Sequence, residues 1–261
     1  MSDEKEIEQF ADLILQADKI VALTGAGMST ESGIPDFRSP ETGLWSKLDV
    51  DEFASINSYI DHPEKNLETM LELGTTIFRA KPHAGHKALT RLQKLDKLEA
   101  VLTQNIDGLH QKAKTKNVVE FHGNVNESIC MDCGKVYPIT RLINQVIRES
   151  RRPKCQNCGG LLKPNAVFFG EMLDSEILRK ADEYVALCDL LIVLGSSLVV
   201  YPVAFYPSKA ASSGSDLAII NIQPTEVDPY AEVVIHGKIG EYLPKIVDRV
   251  EEKVEQDNST N

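Results

Sequence analysis

The chain has 261 residues, 42% of them hydrophobic and 26% charged, enough to bury a sizeable core as one large domain or as a main domain with a small inserted one. A formal net charge of −11 opposes general attraction to nucleic acid or anionic membrane and suits cationic, lysine-bearing partners, so no direct nucleic-acid binding is expected. The charged start Met-Ser-Asp-Glu-Lys-Glu leads into no apolar segment, and no apolar run approaches the ~20 residues of a membrane span, so we expect no signal peptide, no membrane contact and a cytoplasmic setting.

In chain order, Ile7, Phe10, Ala11 and Ile14 recur at helical spacing within residues 4–16, which predicts an amphipathic helix packed on an apolar strand at 20–24. Short runs rich in Val, Ile and Leu follow at 99–103, 118–122, 190–195, 217–222 and 233–235, with helical patterns at 85–95, 175–187 and 203–212. Continuous apolar strands alternating with helices predict an α/β fold, a Rossmann-like doubly wound parallel sheet with ligands at the carboxyl ends of its strands. Two stretches break the alternation. Residues 40–81 hold the lone Trp45 and helical fragments, and 124–162 hold four of the five cysteines. Together they predict a smaller inserted zinc-ribbon and helical domain, leaving 1–39, 82–123 and 163–254 to the main domain. The polar tail 255–261 is expected to be disordered.

The first strand runs into Gly25-Ala26-Gly27, where glycines permit a tight turn and close backbone approach to a phosphate. A dinucleotide fingerprint would bring its third glycine sooner than Gly33, and no strand ending in an acid follows ~20 positions on to clamp a ribose. By themselves two glycines fit a plain tight turn equally well. Beyond Pro35, which stops a helix, Asp36-Phe37-Arg38 sets an acid, an aromatic ring and a guanidinium side by side. Such a loop suits closure over a ligand, Phe37 screening water and Arg38 pairing with a phosphate or with Asp36; a surface ion pair beside a buried Phe is the plainer alternative.

The next strand ends in Gln104-Asn105-Ile106-Asp107, more polar groups than a helix cap requires and a suitable set for ribose hydroxyls or a carboxamide. The third ends on His122. A lone histidine is usually structural, but this one shares a sheet rim with the other polar clusters, where a neutral imidazole serves as general base. Gly195-Ser196-Ser197 and Asn221-Ile222-Gln223 end two later strands with small or amide-bearing residues.

Cys130-x2-Cys133-Gly and Cys155-x2-Cys158-Gly, 21 residues apart, are the strongest local signal. Two such knuckles complete a tetrahedral zinc site with no position open for water, so the metal is expected to be structural. A reducing setting disfavours disulfides. Cys188 reads as a small buried hydrophobe.

Taken in order, Gly25-Ala-Gly-Met-Ser-Thr-Glu-Ser-Gly-Ile-Pro-Asp-Phe-Arg38, Thr103-Gln-Asn-Ile-Asp-Gly-Leu-His110, Phe121-His-Gly-Asn124, the cysteine knuckles, Val167-Phe-Phe-Gly-Glu171, Gly195-Ser-Ser-Leu198 and Asn221 resemble the sirtuins, NAD-dependent protein lysine deacylases. The resemblance covers residues 20–243 and is nearest to the bacterial and archaeal deacetylases. It implies that NAD is consumed rather than reduced: nicotinamide leaves C1′ of its ribose, the acetyl oxygen of the substrate attacks that carbon, and lysine, nicotinamide and acetylated ADP-ribose result. By the same resemblance Gly25, Ala26, Gly27, Thr30, Asp36, Phe37 and Arg38 hold NAD along the first loop, and Gln104, Gly195, Ser196, Ser197, Asn221 and Ile222 surround ribose and phosphate. Ile106 and Asp107 line the nicotinamide pocket, and Lys238 reaches the adenine side. Asn105 positions ribose or water, and His122 deprotonates a ribose hydroxyl so that it attacks the imidate intermediate. Acetylated lysine-bearing proteins or peptides lie between two edge strands, residues 167–171 with Val167, Phe168, Gly170 and Glu171, and residues 195–200 with Leu198 and Val199. His83 stands where many members carry Asn. Members that remove acidic acyl groups carry Tyr-x-x-Arg upstream of the Pro82 to His86 element, yet residues 66–80 contain no Tyr and Arg79 as the sole Arg, which points to acetyl or another uncharged acyl group. ADP-ribosyl transfer to protein uses the same activated carbon and stays open as an alternative. An NAD(P) dehydrogenase and a non-enzymatic zinc-ribbon module fit the residues less well.

Overall fold

The computed structural model describes residues 2–36, 43, 54–149 and 152–260. Phe37, Arg38, Trp45 and most of the segment 40–53 lie outside the described residues.

The main sheet has six parallel strands in the order β3-β2-β1-β7-β8-β9. They are β1 (Ile20–Thr24), β2 (Leu98–Thr103), β3 (Val118–Glu120), β7 (Leu190–Leu194), β8 (Asp216–Asn221) and β9 (Val233–His236). Every residue of β1 and β7 is buried, as expected of central strands covered on both faces. One face packs on α1 (Ser2–Gln16), α4 (Ala84–Lys94) and α9 (Ile239–Thr260), with Phe10, Ile14, Leu89, Leu92, Leu243 and Ile246 fully buried. The other packs on α7 (Ser175–Leu187) and α8 (Tyr206–Ser212) through Ala181, Val185 and Ala210. Asp174 starts α7 by accepting the Glu176 N–H at 2.7 Å, an N-cap that satisfies one of the helix's free donors.

The chain winds outward in one direction from β1 through β2 to β3, then returns to the other side of β1 with β7. The order therefore reverses between β1 and β7. Helices leave that point on opposite faces, and a crevice opens at the carboxyl ends of these two strands.

The second lobe carries α2 (Ile56–Asp61), α3 (Pro63–Arg79) and a three-stranded antiparallel sheet in the order β5-β4-β6: β4 (Gly123–Cys130), β5 (Val136–Pro138) and β6 (Leu162–Ala166). Its core joins Tyr59, Leu67, Leu142 and Phe168 to Cys130 and Cys155. Strand β6 runs across the boundary expected between residues 162 and 163 and pairs with β4, so the small lobe extends to Ala166. Helix α9 runs to Thr260, through most of the stretch 255–261 expected to be a disordered tail. Val254 extends the apolar stripe begun by Val247 and Val250, and the Ser259 hydroxyl back-bonds to the Glu255 carbonyl at 2.7 Å. Among the described residues no helix is long and apolar enough to cross a membrane.

Candidate active site

The crevice is floored by backbone. The Gly25 N–H bonds to Leu194 O at 3.0 Å and the Gly27 N–H to Gly195 O at 2.8 Å, stitching the ends of β1 and β7 together. A Cβ at Gly25 would lie 2.7 Å from Gly195 O, and one at Gly195, where φ is +62°, would lie 2.3 Å from Met28 N. Two backbones this close leave room only for glycine and expose main-chain dipoles to whatever occupies the crevice.

Polar side chains crown the neighbouring strand ends. Gln104 donates from Nε2 to Ser196 Oγ at 2.9 Å. Asn105, 9% exposed, donates from Nδ2 to Gly25 O at 2.9 Å and to Ser29 Oγ at 3.1 Å. Its carboxamide orientation is thereby fixed. Behind it Ser29 Oγ donates to Asp107 Oδ2 at 2.7 Å, and the Leu109 N–H reaches Asp107 Oδ1 at 2.8 Å. Burial raises the Asp107 pKa, and these two bonds oppose the rise.

His122 Nδ1 lies 2.9 Å from the backbone carbonyl of Gln104. A carbonyl can only accept, so Nδ1 carries the proton and Nε2 keeps its lone pair. Burial pulls the imidazole pKa down, and the Gln104 carbonyl pulls against it. The ring is neutral at pH 7 in the tautomer a base requires.

A second histidine system supports the rim from below. The Asn105 N–H bonds to Thr103 Oγ1 at 3.1 Å, Thr24 Oγ1 donates to Thr103 Oγ1 at 2.8 Å, and Thr24 Oγ1 lies 3.1 Å from His110 Nε2. The single Thr24 hydroxyl proton is committed to Thr103, so His110 must donate from Nε2. Its ring lies 5.0 Å from that of His86, which in turn sits 4.5 Å from His83. His83 caps α4 by accepting the Gly85 N–H at Nδ1, 3.0 Å away, and holds Met28 O from Nε2 at 2.6 Å. An asparagine could supply the cap but not the longer second reach.

Glycine floor, polar rim and His122 enclose a cavity of about 750 Å³, within the ~300–1,000 Å³ of small-molecule sites. Thr30, Asp36, Gln104, Asn105, Ser196, Ser197, Asn221, Ile222 and Lys238 line it, together with Gly25, Ala26, Gly27 and Gly195. Val167, Phe168, Gly170 and Glu171 line its other side, where the Val167 N–H bonds to His122 O at 3.0 Å.

Among the described residues, four of the expected ones do not line it. Asp107 is held behind Asn105 by the bonds just described, and Ile106 is tied through its carbonyl to the Val125 N–H at 2.9 Å. Leu198, at φ +53°, turns its side chain onto the core beneath the sheet, while Val199 is 52% exposed. Val200, the last residue of that expected edge, does line the wall, joined by Tyr201 and Pro202. Sequence reasoning also misses Glu31, which accepts the Gly240 N–H at 2.8 Å beside Lys238, and the exposed Met172. Glu31 was visible inside the first motif; Met172 carried no signal.

The cysteines converge away from the cavity. All four Sγ atoms lie within 4.8 Å of one another, Cys130 and Cys158 at 3.5 Å and Cys133 and Cys155 at 3.8 Å. A tetrahedral zinc with Zn–S of about 2.3 Å has S···S edges of about 3.8 Å, whereas a disulfide closes to about 2.05 Å. In each knuckle a glycine N–H returns to the first cysteine's carbonyl, Gly134 to Cys130 at 3.0 Å and Gly159 to Cys155 at 2.9 Å. The set fits a four-thiolate zinc that staples β4 to the following loops. Cys188 is buried at the end of α7, as expected of a small hydrophobe.

Comparison with known proteins agrees with this geometry. The model of the Sir2 family matches residues 25–202. NAD-dependent protein deacetylase 1 of Pyrobaculum aerophilum is 40% identical over 245 residues, 94% of this chain and 95% of that protein. NAD-dependent protein deacylase 2 of Archaeoglobus fulgidus is 41% identical over 248 residues, 95% of this chain and 97% of its own. A Sir2 protein solved with a peptide and NAD+ superimposes with a TM-score of 0.83 at 39% identity, covering 95% of this chain and 98% of that one. With the Sir2 family model matching residues 25–202 and relatives about 40% identical across nearly the whole length, the chain, with its parallel sheet, glycine-floored crevice and four-cysteine lobe, belongs to the Sir2 family.

Proposed function

We propose that the chain is an NAD-dependent protein lysine deacetylase, transferring acetyl from acetyl-lysine to ADP-ribose with release of nicotinamide. The observation that carries this reading is the single cavity in which His122, with Nε2 unprotonated, and the oriented amide of Asn105 share walls with the glycine floor and with residues 167–171. The glycine floor and the Ser196 and Ser197 rim would take the pyrophosphate and riboses of NAD as substrate, with Asn221, Ile222 and Lys238 further along. His122 Nε2 would accept a proton from a ribose hydroxyl, its ring held by the Gln104 carbonyl. Val167 and the buried Phe168 would screen the acyl group from water, which favours transfer to the sugar over hydrolysis. Cys130, Cys133, Cys155 and Cys158 would hold one structural zinc, a role consistent with thiols kept reduced in the cytoplasm.

The test supplies NAD and an acetyl-lysine peptide and measures both products of cleavage. Nicotinamide and free lysine should appear one for one, with acetylated ADP-ribose as the third product. Nicotinamide without loss of acetyl would overturn the reading in favour of ADP-ribosyl transfer or plain NAD hydrolysis.

A further inference from the structure

Lys163 is a charged residue placed where charges are costly. It lies on β6 opposite Ile129 of β4, with its side chain 9% exposed. Its ammonium reaches Ala166 O at 2.7 Å, Pro164 O at 3.4 Å and Glu171 Oε2 at 3.0 Å, and stands 5.1 Å from the centre of the Phe168 ring. The same Glu171 oxygen accepts the Phe168 N–H at 2.8 Å, while the Glu171 N–H returns to Phe168 O at 3.0 Å. Phe168 is thus held at both backbone groups by Glu171, and Glu171 is held by Lys163.

Lys163 itself does not line the cavity, yet through Glu171 it holds one wall of the site. Residues 167–171 line the cavity and begin at the bond from the Val167 N–H to His122 O. On its far side Phe168 packs against Tyr59, ring centres 5.3 Å apart, and the Tyr59 hydroxyl donates to Leu162 O at 2.7 Å. Removing one partner of a buried ion pair leaves the other charge stranded, so each partner dictates where the other must sit. Burial lowers the Lys163 pKa and the Glu171 carboxylate opposes that shift, in keeping with the 3.0 Å contact between them.

We infer that Lys163 is a positioning residue for the substrate wall: through Glu171 it locks residues 168–171 of the loop in the one conformation that receives the acyl-lysine peptide. The inference rests on the reading that this wall contacts the peptide. It ties substrate affinity to β6, whose Leu162 pairs with Cys130 of the metal knuckle, and leaves the dinucleotide end of the cavity to other residues.

The experiment compares wild type with Lys163→Met, which keeps the apolar stem, and Lys163→Arg, which restores a cation. Steady-state kinetics should give Lys163→Met a peptide KM at least tenfold higher with NAD affinity within about twofold, and Lys163→Arg should recover most of the loss. Amide hydrogen exchange, read without turnover, should speed up at Phe168 and Glu171 in Lys163→Met while β1 and β7 stay protected. An unchanged peptide KM and unchanged exchange at those amides would overturn the inference. Absence of any acyl-peptide turnover by wild type would instead overturn the functional reading, and the exchange result would then decide the clamp separately. If Lys163→Met does not fold, Lys163→Gln, which removes the charge but keeps a polar end for the Ala166 and Pro164 carbonyls, is subject to the same peptide KM and exchange criteria.

Discussion

Two histidines beneath the site should make the protein acid-labile. His86 is fully buried with neither ring nitrogen partnered, and His110 is 1% exposed with Nδ1 unpartnered. Burial, followed by the charges of His110 and His83, pushes His86 down to about 2, and burial, followed by His83, pushes His110 down to about 4. Unfolding returns both to about 6.5. The folded values lie below the unfolded ones, so the stabilisation is complete above about pH 6.5 and is lost as pH falls toward the folded values. Near pH 5 the unfolded chain binds a proton at each site that the folded chain refuses, which favours unfolding by about 2 kcal/mol per histidine. The pair removes about 4 kcal/mol of a total stability of ~5–15 kcal/mol. Urea unfolding of wild type and His86→Leu at about pH 7.5 and about pH 5 isolates one of them, because any acid effect on the thiolate site is common to both proteins. The gap between the two should move by about 2 kcal/mol in favour of the variant on acidification. Parallel losses of stability would refute the claim that His86 is held neutral by its surroundings.

Three further outcomes follow from the site. His122→Ala should keep NAD binding, measured by calorimetry, and lose ~10²–10⁴-fold in deacetylation; because burial lowers the His122 pKa, the acidic limb of kcat/KM should fall below the free imidazole value of about 6.5, activity being lost as the base protonates. Gly195→Ala forces a Cβ to 2.3 Å from Met28 N at a positive φ and should destabilise the fold by ~1–3 kcal/mol, read by urea unfolding, while weakening NAD at least tenfold. Metal analysis should find one zinc per chain, and Cys155→Ala should lose it with the packing of Tyr59, Leu142 and Phe168, seen as lost protection of β4 and β6; full activity after zinc removal would contradict a structural role.

Much of the fold was legible because its strands are short, mostly apolar runs that end in chemically loud residues. Ile20–Thr24 followed by Gly25, and Leu190–Leu194 followed by Gly195, mark both sides of the strand-order reversal. The cysteine knuckles were legible for a similar reason, as local turns whose four ligands need only converge. What escaped depended on contacts between distant segments. Asp107 reads as a ligand residue, but its oxygens are consumed by Ser29, 78 positions away, and by Leu109. Leu198 stands in a motif that borders the cavity, yet a left-handed backbone turns it into the core and brings Tyr201 forward. The end of α9 reads as a polar tail because its stabilising contact, Val254 on the core, is one apolar residue among many charges. Lys163 gave no signal at all until Glu171 was placed beside it.

The fate of the pyridine ring tests the account most directly. With NAD and acetyl-lysine peptide in one cuvette, nicotinamide should accumulate in step with free lysine while absorbance from reduced cofactor stays flat, because the glycosidic bond is the one broken. Growth of reduced cofactor without nicotinamide release would show hydride transfer instead and contradict the account.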